Sequence, residues 1–198
     1  MKRLSLLALA FAMTACETLP PPLPPVDDPE QAWKVRQHLL ADTLPWSLTG
    51  RISIKTEDDS WQASLRWHES AGKYEIWLSG PLGQGTVQIE GSEQGAILRT
   101  DDEHYVAKNA ETLLHEQLGW YIPVSGLHAW ILGLPEPGMP ARQEVDDRGR
   151  LSRLVQSGWE ISYRKYMRVN DLELPRKVFL KNSRLDVRVV IDQWNLEQ

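Results

Sequence analysis

The feature that most limits this chain's fold is a two-residue period of apolar side chains, repeated in short runs. Trp46, Leu48, Ile52 and Ile54 alternate with polar or small residues, and Trp61, Ala63, Leu65 and Trp67 repeat the pattern. Tyr74, Ile76 and Leu78 follow, then Val87 with Ile89 and Ala96 with Leu98, with glycines or acidic clusters between the runs. The period resumes at Trp159, Ile161 and Tyr163, and at Val178 and Leu180. Past an Asn182-Ser183 turn it continues through Leu185, Val187, Val189 and Ile191. Successive side chains of a strand point to opposite faces, so each run buries one face and wets the other. Short runs joined by turns predict an antiparallel meander.

Three segments carry a helical period instead. Asp28-Pro29-Glu30-Gln31 supplies a cap, a proline at the first helical position and a glutamine at the third, predicting a helix from Pro29 to about Ala41. Trp33, Arg36, Leu39 and Leu40 share its face. Asn109 caps a second helix with Ala110, Leu113, Leu114 and Leu118 on one side and Gly119 at its end. Ser125 is the expected cap of a third, with Leu127, Trp130 and Ile131 on one side, Gly133 at its end and Pro135 beyond. A sandwich would leave these helices no apolar surface to cover. The predicted fold is therefore mainly β with some α: a curved antiparallel sheet forming an incomplete barrel closed by helices, which can enclose a hydrophobic cavity. Leu48, Ile52, Leu65, Trp67, Ile76 and Leu78 from the strands, with Leu113, Leu127, Trp130 and Ile131 from the helices, are the candidate lining. Alternation identifies this inward set without distinguishing a lined cavity from a filled core.

The chain is 198 residues with 41% hydrophobic content, enough for one domain with a sizeable core. A net charge of −5 argues against nucleic acid and anionic headgroups as partners. Nine tryptophans against two phenylalanines is an unusual balance, and indole suits sites where one edge is buried and the other meets water or headgroups.

The amino-terminal region is not part of the alternating pattern. Lys2 and Arg3 precede a short apolar run, Leu4 to Met13, and Met13-Thr14-Ala15 places small residues before Cys16, the single cysteine. Roughly 20 apolar residues are needed to cross a bilayer, so residues 1–15 read as a lipoprotein signal peptide rather than a span. Resemblance to bacterial lipoproteins implies cleavage before Cys16, diacylglycerol on its sulfur and an acyl chain on the new amino terminus. By the same resemblance, Glu17 in place of the aspartate that commonly signals inner-membrane retention implies the outer membrane. Residues 16–29 hold Pro20, Pro21, Pro22, Pro24, Pro25 and Pro29, a tether that spans up to about 40 Å at roughly 3.1 Å per residue. Residues 30–198 form the domain.

No catalytic or metal constellation stands out. His115-Glu116 opens like a zinc-protease helix, but the second histidine's place is taken by Gly119. Asp101, Asp102, Glu103 and His104 read as a solvated turn, and His68-Glu69 as an exposed polar corner. No serine lies in a G-x-S-x-G elbow, and Gly83-Gln84-Gly85 lacks the rest of a phosphate loop. Neither enzyme activity nor a cofactor is expected.

Several local patterns together resemble the LolB family. They are Gly50-Arg51-Ile52, the run Trp61 to Trp67, Gly80-Pro81-Leu82-Gly83, Ile122-Pro123-Val124, Trp130-Ile131-Leu132-Gly133, and Gln156-Ser157-Gly158-Trp159 leading to Tyr163. In order they span Ala32 to Trp194. The resemblance implies an outer-membrane lipoprotein facing the periplasm, whose cavity receives the acyl chains of lipoproteins from the carrier LolA and passes them to outer-membrane lipid. It also implies an exposed Leu82 that engages the bilayer from the Pro81-Leu82-Gly83 loop. Read from the residues alone, Leu82 is rather expected to fold back as a cap on the sheet edge. A monomer is expected, with Arg51 and Arg66 as candidates for steering the carrier. The competing reading is a lipoprotein subunit of an envelope assembly, with a filled barrel and no acyl transfer.

Overall fold

The structure, a computed structural model, describes residues 24–41, 45–81 and 85–196. Two meanders build its sheet. The first runs β1 (Trp46–Lys55), β2 (Ser60–Ser70), β3 (Lys73–Ser79), β4 (Thr86–Ser92), β5 (Gly95–Arg99) and β6 (His104–Ala107). The second runs β7 (Ala141–Val145), β8 (Leu151–Gln156), β9 (Trp159–Val169), β10 (Leu172–Lys181) and β11 (Asp186–Leu196). Antiparallel pairing of β1 with β11 merges them into one eleven-stranded sheet whose edges are β6 and β7. Helices α2 (Ala110–Leu118) and α3 (Val124–Leu132) form the connection between those two edges, and α1 (Pro29–Ala41) precedes β1. The sheet does not close on itself. It is the expected incomplete barrel, with helices over its concave face.

The β1–β11 seam contains a bulge. Thr49 pairs with Gln193 and Gly50 with Ile191, so Asp192 is the extra residue. The bulge shifts the alternation, allowing Val187, Val189 and Ile191 to face inward and Trp194, three residues on, to do the same. Outside, Arg51 pairs with Asp192 at 3.0 Å. Inside, Gly50 lets the two backbones approach, since a Cβ there would lie 2.3 Å from the Val190 carbonyl oxygen.

Three strands were not expected from the sequence. In β7 the first four residues are all exposed, as befits an edge strand. A register shift between Glu144 and Val145 leaves Leu151 and Leu154 of β8 spaced by three. β6 follows directly on the acidic turn and has only four residues; Tyr105 and Ala107 are half-buried against the core, and Val106 is 70% exposed.

The helices begin and end near the expected places, with two corrections. Asp28 accepts the Gln31 amide at 3.0 Å to start α1, which buries Trp33 and Leu40, but Leu39 is 54% exposed rather than on the inner face. Asn109 accepts the Thr112 amide at 2.9 Å to start α2, and Gly119 ends it in the left-handed region at φ 70°. For α3 the cap is Pro123, not Ser125, and no side chain of its own caps it. Glu111 of α2 serves instead, accepting the Ser125 amide at 2.8 Å and joining the two helices.

One end of the sheet is plugged. Here α1 packs near β7, Arg36 donates to the Glu173 carbonyl, and the Glu173 carboxylate takes Arg148 at 2.7 Å and Arg150 at 3.0 Å. The chain joins this end, where the Val26 amide donates to the Asp147 carbonyl. The opposite end carries the β1–β2, β3–β4 and β10–β11 connections, as the strand registers require.

Gly50→Ala is expected to lower stability by about 1–3 kcal/mol, because the added methyl meets backbone that no rotamer can clear. Urea denaturation of the two forms, compared at equal slope, measures it.

Candidate functional site: an apolar cavity beneath the helices

Between the concave face and the helices lies a cavity of about 60 Å³ lined only by apolar side chains. From the sheet come Ile52, Ile54, Leu65, Trp67, Ile76, Leu78, Val187 and Val189 among others. From the helices and the segment between them come Leu114, Trp120, Ile122, Leu127, Trp130 and Ile131. A dry apolar cavity of about 150 Å³ holds one benzene. The observed space is therefore too small for an extended acyl chain, and filling it with one requires the helices or side chains to give way.

Towards the plugged end the cavity is bounded by interlocked indoles. Trp46 lies 5.4 Å from Trp67 and 5.3 Å from Trp194, ring centroid to centroid. The Trp194 indole donates to the Pro175 carbonyl at 2.9 Å. Trp67 donates to the Glu69 carboxylate at 3.1 Å. Glu69 belongs to the inward set of β2 and is 8% exposed.

Helix α3 is held at two places. Near its carboxyl end, the Trp130 indole donates to the Gln156 side-chain oxygen at 2.7 Å, and the Glu136 amide shares that oxygen at 2.8 Å. The Gln156 amide group returns bonds to the Glu136 and Met139 carbonyls, so one buried side chain ties the helix and the following loop to β8. Tyr163 adds a bond from its hydroxyl to the Trp130 carbonyl at 2.9 Å. Burial pushes that phenol well above its usual pKa. Earlier in the helix, His128 Nδ1 sits 3.0 Å from the Glu69 carboxylate, and its ring meets Trp67 and Tyr74 edge to face. The helices thus rest on an apolar bed but are located by a few buried polar bonds.

A family model described as "Outer membrane lipoprotein LolB" matches residues 44–194. A protein of Nitrosococcus oceani named outer-membrane lipoprotein LolB is 41% identical over 98% of both chains. One of the same name from Pseudomonas aeruginosa is 39% identical over 85% of this chain and 82% of its own. The chain belongs to the LolB family of outer-membrane lipoproteins. A LolA superfamily protein from Nitrosomonas europaea shares the fold at a TM-score of 0.58 with 7% identity, covering 85% of this chain and 94% of that one.

The structure distributes the residues singled out from the sequence unevenly. Ile52, Leu65, Trp67, Ile76, Leu78, Leu127, Trp130 and Ile131 surround the cavity. Leu48 and Leu113 are buried in packed core outside it, 2% and 1% exposed. Pro81 is exposed at the end of β3, whereas Cys16, Leu82 and Gly83 lie outside the described residues. Arg51 and Arg66 point to the convex face, engaged by Asp192 and stacked over Trp77. They do not border the cavity. His68-Glu69 is not the exposed corner expected, since Glu69 is buried beneath α3. The strand period already placed Glu69 two residues after Trp67 on the inward face, and its place where the strand runs into the Gly72 turn argued otherwise. Among the described residues no acidic or histidine cluster could hold a metal ion, and no helix is long and apolar enough to cross a membrane.

Burial, with Glu111 and Glu69 adding to it, pushes the Tyr74 phenol up to about 12. An unfolded tyrosine titrates near about 10. The folded form thus keeps a proton that the unfolded form has lost, and Tyr74 makes stability fall as pH rises from about 10 towards 12. Tyr74→Phe should make that fall shallower, as read from denaturation midpoints across the alkaline range.

Proposed function

We propose that this chain is an outer-membrane lipoprotein, anchored through Cys16 and facing the periplasm, that accepts lipoproteins from the carrier LolA and inserts them into the outer membrane. In this reading residues 1–15 are the leader, 16–29 the anchored tether and 30–198 the lipid-binding domain. The observation that carries it is the cavity: wholly apolar walls in a member of the LolB family, covered by helices that only a few polar bonds locate.

The physical task fits that wall. Burying a methylene is worth about 0.8 kcal/mol, so a sixteen-carbon chain resists exposure to water by about 12 kcal/mol. A carrier and an acceptor that each cover the chain avoid that barrier, and no bond is made or broken. The small volume of the empty cavity supports release as well as uptake. A site that must be pried open gives back part of the burial energy, leaving the bilayer as the better host.

Delivery is assigned to Leu82. The described residues on either side of it stand at the end of the sheet opposite the plug: Pro81 is exposed, and the Gly80 amide donates to the Gly85 carbonyl. One leucine gains roughly 1.5–3 kcal/mol on burial, enough for a transient encounter with lipid and too little to anchor a domain.

A transfer assay tests the reading: LolA loaded with acylated lipoprotein is mixed with the Cys16→Ala form, then with liposomes. Cargo should move to the soluble acceptor and on to lipid, and its retention on LolA would refute the function. Leu127→Trp, which fills the cavity, should reduce acceptance at least tenfold while the protein stays folded by circular dichroism. Leu82→Glu should accept cargo at the normal rate yet leave it out of liposomes, because a charge then stands where the loop meets hydrocarbon.

A further inference from the structure

An acylated cysteine is not all hydrocarbon. Its chains end in ester and amide groups, followed by peptide, and these carbonyls are acceptors that an all-apolar wall cannot satisfy. A second concavity of about 700 Å³ lies across the end of the sheet formed by the β1–β2 and β10–β11 turns. Its position relative to the cavity can be read along the chain. Ile54, Trp120, Leu180 and Val187 line the cavity, and their immediate neighbours Lys55, Tyr121, Lys181 and Asp186 line the groove. Four separate elements therefore pass from one to the other, and the groove caps the cavity at the end away from the plug.

The groove is rich in donors. Lys55 and Lys181 stand directly across from Asp186 in the strand register, one on each side. Asp186 is engaged by Arg188 at 3.1 Å, and neither lysine has an ion pair among the described residues. Arg184 lies over the Tyr121 ring, 5.0 Å from its centroid, at the groove's other wall. Against these three cations the lining sets Glu57, Asp58 and Asp186, so the groove is formally neutral. That balance disfavours a phosphate and suits an uncharged group with many carbonyl oxygens.

We propose that this groove binds the polar base of the cargo: the glyceryl ester and acyl-amide carbonyls of its modified cysteine and the first peptide groups beyond, with Lys55, Lys181 and Arg184 as donors. This rests on the cavity receiving acyl chains. The groove holds the cargo's polar end where water and donors meet it while the chains lie beneath the helices.

The test uses the full chain with Cys16→Ala and reads quenching of the tryptophans that line the cavity by brominated chains. One probe is a brominated fatty acid methyl ester, the other a neutral cysteinyl tripeptide amide acylated with the same chains. Replacing Lys55, Lys181 and Arg184 together by alanine should weaken binding of the acylated peptide about tenfold or more and leave the methyl ester within about twofold. Lys181→Ala alone, a surface change that leaves the fold intact, should weaken the peptide about threefold. Unchanged peptide affinity in both variants, or equal loss for both probes, overturns the groove assignment. So does tighter binding of brominated phosphatidylglycerol than of the peptide, because the groove would then select phosphate. Quenching of the parent protein by neither probe has a different meaning: it removes the acyl-chain reading, and this proposal falls with it.

Discussion

The pairing of β1 with β11 is the contact on which the rest of the molecule depends. Each meander alone is an open sheet with an apolar face in water. Joining the strand that opens the domain to the strand that ends it makes one concave surface wide enough to wrap around helices. The seam brings together residues more than a hundred positions apart, and loop-closure entropy opposes such contacts until the sheet rewards them. Its bulge then sets the curvature and turns Trp194 into the indole cluster that closes one end.

The segment linking the two sheet edges crosses the concave face, and this explains why α2 and α3 lie where they do. The crossing segment runs over residues 108–140, and its two helices have nine residues each. Helices of that length are marginal on their own, so their order comes from the bed beneath and from a few polar ties. Gln156 and Tyr163 hold the carboxyl end of α3 from the second meander, while Glu69 and Glu111 act nearer its start. The carboxyl end is tied to fixed strands through several bonds, whereas the α2 end is tied partly to another short helix. The cover is consequently firm on one side and yielding on the other.

Much of this architecture was legible in the residue order. A strict period of two exposed the inward set of β1 to β5 and of β9 to β11, because each of those strands buries one face only. At an edge or a bulge the signal vanishes: the first four residues of β7 are all exposed, and β8 buries Leu151 and Leu154 three apart because Ser152 is its extra residue. The cap of α3 was misplaced for a related reason. Ser125 has the chemistry of a cap, but the tertiary contact from Glu111 supplies the acceptor, and local sequence carries no trace of a partner fourteen residues away. The cavity was the least legible feature. Leu48 and Leu113 share the inward phase of their elements with the lining residues, and what separates packed core from void is three-dimensional fit, which periodicity does not encode.

The chain joins the domain at the plugged end, beside Asp147, and the groove lies at the other end, where Ser79 of β3 pairs with Thr86 of β4. Strand β1 spans ten residues, about 34 Å from end to end. With the proposed anchor at Cys16, chain length limits the stretch to Val26 to a reach of about 36 Å. Those two lengths nearly match. An anchored molecule standing upright therefore aims its open end away from the membrane, into the periplasm, the side from which a soluble carrier arrives. On the proposed reading, touching the bilayer with that same end requires the domain to turn over. Were Cys16 the anchor, as proposed, that reach would just permit inversion without letting the domain wander, and receiving and delivering would be two orientations of one body.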